Sequence, residues 1–77
     1  MNVNTVFCRM VLKGTHERVK KFRPDIKLKD AWVWSGRDGC WEFHGPEKFY
    51  WYGRAYNAYE ARAKGWMAWL TKEGAAE

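Results

Sequence analysis

Asp38, Cys40 and His44 are the residues of this chain whose types could make a nucleophilic site: an orienting acid, a thiol and a base. Spacing speaks against it. On an extended strand Cys40 and His44 stand about 13 Å apart in rise, at roughly 3.3 Å per residue. Adding Cys8 and His16 tests for a metal centre. Neither the gap between Cys8 and His16 nor that between Cys40 and His44 matches the close cysteine pairs that anchor zinc. Asp38, Glu42 and Glu47 are near in sequence, but they read as turn and strand-surface charges rather than an acid–base pair. There is no glycine-rich phosphate loop. A chain of 77 residues also leaves little room for a cleft that excludes water. The expectation is a protein without catalytic residues, metal ligands or a cofactor, one that acts by binding.

The charge points to a partner. Residues 1–29 hold eight Lys or Arg against two acids, a net +6; residues 30–77 hold six against seven, a net −1. The densest cations are Arg18, Lys20, Lys21, Arg23, Lys27 and Lys29, with Phe22 among them. Cations neutralise phosphates and interleaved aromatics stack on unpaired bases, so this segment is the expected nucleic-acid-binding surface. No helix-turn-helix, zinc-finger or ribonucleoprotein pattern supports base-specific reading, so contacts to the backbone are expected first.

A second surface competes. Tyr, Trp, Met and Arg are the residue types enriched at interface centres, and six Trp, four Tyr and four Phe exceed what so small a core can hide. Tyr50, Tyr52, Tyr56 and Trp69 are the rings expected outside, as a patch for a host protein or for a homodimer.

The elements that position these residues form one domain over 1–77, made of a basic segment 1–29, a strand meander 30–53 and a helix 57–73. Two cysteines make no disulfide framework, and neither a signal peptide nor a long apolar run is present. A cytoplasmic protein with no membrane contact is expected. The helix is the best-specified element. Asn57 and Glu60 make a capping box, Glu60 reaching back to the N–H of Asn57, and Gly74 supplies a stop. Tyr59, Ala63, Trp66 and Leu70 form one stripe, and Glu60, Ala61, Lys64 and Ala68 lie behind it facing water.

In the meander, Gly36–Gly39 and Gly45–Lys48 are the turns. Trp32 and Trp34 share a face of the first strand, Trp41 and Phe43 of the second, Phe49 and Trp51 of the third. The helix must cover one sheet face, so most of these rings are expected inside, leaving Cys40, Glu42, His44, Tyr50 and Tyr52 on the other. Residues 2–12 fit two readings. Alternation of Val6, Cys8, Met10 and Leu12 favours a strand; Phe7, Met10 and Val11 after Asn4, with Gly14 as a stop, fit a helix. Thr15 then caps a short turn, HERVKKF, ending before Pro24, and residues 75–77 read as a loose tail. The fold class is α+β: a three-stranded antiparallel sheet, with a fourth strand if residues 2–12 extend, packed on one C-terminal amphipathic helix.

This strand–strand–strand–helix order resembles the plant ethylene-response-factor DNA-binding domain and the amino-terminal DNA-binding domain of phage integrases. The likeness runs from Trp41 to Leu70, with YWYGRAYNAYEARA standing where those families have a strand, a glycine and an Ala-rich helix. Those domains read DNA with Arg and Trp on the exposed sheet face; here that region offers Arg37, Lys48 and Arg54, with Glu42 among them. In GCWEFHGP, FYWYGRA and the closing ARAKGWMAWL, the chain is also similar to short accessory proteins of temperate phages of enteric bacteria. The resemblance implies a non-enzymatic protein that binds nucleic acid or a host component, in the host cytoplasm.

Overall fold

The computed structural model describes residues 3–75. The chain runs α1 (Val3–Phe22), β1 (Trp32–Ser35), β2 (Cys40–His44), β3 (Tyr50–Arg54) and α2 (Ala58–Lys72), with single 3-10 turns at Leu28–Asp30 and Pro46–Lys48. The three strands make one antiparallel sheet in the order β1-β2-β3. This is an α+β fold with the expected C-terminal helix, and among the described residues no helix is long and apolar enough to cross a membrane.

The amino-terminal segment corrects the strand reading. α1 is one helix of 20 residues, so no fourth strand forms from it. Its buried positions, Cys8, Leu12, Thr15 and Val19, recur at the helical period straight through Gly14. Gly14 is no stop. It faces open space, where glycine costs a helix about 1 kcal/mol relative to alanine and clashes with nothing. Thr15 is no cap either; its buried hydroxyl donates back to the Val11 carbonyl at 2.8 Å. The helix ends where Lys20 Nζ donates to the Pro24 and Ile26 carbonyls, at 3.0 and 2.8 Å, supplying a cation to the negative end of the helix.

α2 is the middle element, with the sheet on one side and α1 on the other. Asn57 Oδ1 accepts from the Glu60 N–H at 2.9 Å, while Glu60 Oε1 accepts from Tyr56 N–H rather than from Asn57. Its stop is as expected: Gly74 at φ +82, with Ala75 N–H to Leu70 carbonyl and Gly74 N–H to Thr71 carbonyl, the paired bonds of a Schellman end. Ala75 is thereby tied down; the rest of the expected loose tail lies outside the described residues.

Ala61 does not face water but is fully buried. Beside it, Gly65 carries the Phe43 ring, since a β-carbon there would come 2.1 Å from Phe43 Cγ. Phe43, Trp66, Trp69 and Val19 form the sealed centre. Trp66 meets Phe43 and Trp69 edge-on at 5.3 and 5.4 Å between ring centres, the arrangement aromatic quadrupoles favour.

Candidate functional site

Strand register decides which rings reach solvent. β1 pairs β2 with Val33 opposite Phe43, and β2 pairs β3 with Phe43 opposite Trp51; these three point toward the helices. The alternate rows, Trp32–His44–Tyr50 and Trp34–Glu42–Tyr52, therefore point outward. Trp32 and Trp34 are 50% and 61% exposed, which corrects their expected place in the core. The cause is the length of the first turn. Gly36 N–H donates to the Cys40 carbonyl, closing a loop of Arg37, Asp38 and Gly39, with Asp38 and Gly39 at φ 55 and 73. A loop one residue longer would pair Trp32 with Phe43 and turn both tryptophans inward.

On this outer face Trp32 lies parallel to His44 at 4.9 Å, and Tyr50 meets His44 edge-on at 5.2 Å. His44 Nε2 is 3.1 Å from Glu42 Oε1. A hydrogen bond with Cys40, and less strongly the nearby charge of Glu42, holds the Tyr52 phenol above its ordinary pKa. Tyr50 and Tyr52 are exposed as expected, and so is Tyr56, just before α2. Trp69 is not: it is fully buried, edge-on to Phe22 of α1 at 6.2 Å and to Trp66 at 5.4 Å. Its position beside the helix stripe concealed that two elements, not one, pack on α2. The outer face thus carries four large exposed rings and one carboxylate.

The cations sort differently. At 100° per residue, Arg9, Lys13, His16 and Lys20 fall in one row along α1. With Leu12, Glu17, Leu28 and Tyr59 they line a groove of about 450 Å³. The Arg9 guanidinium sits over the Tyr59 ring at 5.8 Å, and Glu17 is the one acid lining the groove. Arg62 of α2 acts on His16 from the other side: burial first, and then the Arg62 charge, push the His16 pKa below its ordinary value.

The six cations expected to bind nucleic acid do not gather into one patch. Lys20 borders the groove with its ammonium bound to two carbonyls. Arg18 and Lys21 lie on other sides of α1, exposed, and Lys27 and Lys29 are exposed in the segment before β1. Arg23 is tied down, with Asp25 at 3.0 Å, Glu73 at 3.2 Å and Glu47 at 3.8 Å. The hydrogen bond from Arg23 lowers the Asp25 pKa. Of the row, Arg9 sits in the stretch that reads as a strand, and Lys13 and His16 fall on either side of the expected break at Gly14; helical spacing continued through Gly14 aligns all three.

Cys8 is buried on α1 and Cys40 opens β2, both free thiols, and no three His, Cys, Asp or Glu side chains among the described residues come together to hold a metal. Cys40 and His44 occupy opposite ends of β2. Fold and surface define a small α+β domain of two helices and a three-stranded sheet, with a cationic groove beside α1 and an aromatic outer sheet face. No family model, curated protein or solved structure matches the chain.

Proposed function

We propose that this is a small, non-enzymatic accessory protein of the phage type that binds nucleic acid through the cationic side of α1. One observation carries the reading: Arg9, Lys13, His16 and Lys20 share a row with a single acid beside them. Phosphates meeting such a row release counterions, so affinity falls steeply with salt. Arg18, Lys21, Lys27 and Lys29 add to the long-range field that brings a polyanion in.

The test is a salt series of binding to DNA and RNA. Log affinity should fall with log salt by roughly 0.7 per phosphate for single strands and 0.9 for duplex. Lys13→Glu with Lys21→Glu, both exposed positions, should weaken binding about tenfold or more and leave thermal unfolding in place. Absence of salt-sensitive binding to any nucleic acid at low ionic strength refutes the proposal.

The outer sheet face favours a second reading, a host-protein inhibitor or adaptor. Trp32, Trp34, Tyr50 and Tyr52 together are the ring types that anchor protein interfaces. A bacterial partner retained after nuclease treatment and lost on Trp34→Ala would support it; survival of capture in Trp34→Ala with Tyr52→Ala would count against it.

A further inference from the structure

The groove beside α1 has a floor as well as a rim. Its rim carries the cations Arg9, Lys13 and Lys20, with the His16 ring among them. Its floor is apolar: Leu12, the half-buried Leu28 and the Tyr59 ring. A surface that met only phosphates would gain nothing from an apolar floor, because phosphate oxygens keep their water or take charged donors. Resting on the proposed function, we infer that this groove takes one unpaired nucleotide, its base against Tyr59 and Arg9 and its phosphate against Lys13, so that the protein prefers single strands.

Three features fit this occupant. The groove is shallow and open, about 450 Å³, so a flat base can lie along it without entering an enclosed cavity. Tyr59 offers an aromatic face with the Arg9 guanidinium over it, and both groups stack on bases. His16 stands at the groove with its pKa held below the ordinary value, first by burial and then by Arg62, and its ring nitrogens can hydrogen-bond a base edge. A base held in a duplex is already stacked and paired, and extruding it costs a few kcal/mol. An unpaired base enters without that cost.

The experiment compares a short labelled single strand with an abasic strand of the same phosphate count and with the matching duplex, by fluorescence anisotropy on the full chain. The intact strand should bind about tenfold tighter than the abasic one, the size expected of one stacked base. Tyr59→Leu, which keeps an apolar floor but removes the ring, should erase that ratio while leaving abasic binding and its salt slope alone. Since Tyr59 also packs on the core, Arg9→Lys at an exposed position serves as the second variant: it keeps the charge, loses the stacking plane and should shrink the same ratio. Equal affinity for intact and abasic strands, or a ratio untouched by both variants, overturns the inference and leaves the proposed function standing. Salt-insensitive or absent binding to all three removes that function as well.

Discussion

The two faces of the sheet carry the same kinds of residue and meet opposite fates. On the inner face Phe43 is fully buried under Gly65 and Trp66; on the outer face Trp34 and Tyr52, two strands apart, are more than half exposed. Side-chain type does not separate them, because tryptophan and phenylalanine are both core-formers. Position does: alternation along each strand and a loop of three residues between strands decide which rings the helices cover. Whether a large ring on this molecule is covered or exposed is therefore set by register and not by its type.

Substitution should separate the faces most sharply at one pair. Phe43→Ala should cost about 3–5 kcal/mol, enough to unfold most molecules of a domain this small. Trp34→Ala should change stability by no more than about 0.5 kcal/mol. Urea unfolding followed by circular dichroism reads both, and equal losses would show that the outer rings are structural too. Gly65→Ala comes next. Alanine would gain the helix about 1 kcal/mol of propensity, yet its β-carbon meets the Phe43 ring at a distance real contacts do not show. Overpacking should win, for a net loss of about 2 kcal/mol. A more stable Gly65→Ala would mean that the inner face is looser than its packing shows.

These elements were unequally legible in the sequence. α2 and its Asn57 and Gly74 ends were readable, because caps and stops are local chemistry of a few residues. The meander was readable for the same reason, since glycine at the corners marks its turns. What could not be read was anything set by one residue of register. Gly36 pairs with Cys40 instead of entering the loop, and that step moved Trp32 and Trp34 from core to surface. α1 was ambiguous because Val6, Cys8, Met10 and Leu12 alternate as plausibly as Phe7, Met10 and Val11 spiral, and only its docking on α2 chooses between the two. With the helix came the groove, which is invisible as long as Arg9, Lys13 and His16 are not known to share a side.

Charge gives a smaller contrast, between a structural cation and the proposed binding surface. Arg23 bridges Asp25 and Glu73, joining the end of α1 to the end of α2. Asp25 and Glu47 are largely solvated, so Arg23→Gln should change stability little. It should leave nucleic-acid affinity nearly unchanged, whereas Lys13→Glu should do the reverse. A large affinity loss in Arg23→Gln without unfolding would return Arg23 to the binding surface.

The two histidines give the finest comparison, since each lies against a tryptophan, His44 outside on Trp32 and His16 inside, edge-on to Trp66 at 6.4 Å. His16 is surrounded by Arg62 from α2 and by Lys13, Glu17 and Lys20 from α1, and burial leads its pKa downward from 6.5. With the folded value below the unfolded one, the unfolded chain takes up the proton more readily. The His16 contribution is therefore complete above pH 6.5 and is lost as pH falls toward and through the folded value. Unfolding midpoints at graded pH should fall on mild acidification, and less so in His16→Gln. A bound phosphate has the opposite sign, because it favours the imidazolium, so affinity should rise over the same fall in pH that weakens the free fold. Affinity independent of pH in the intact protein, alongside a pH-dependent fold, would place the phosphates away from His16.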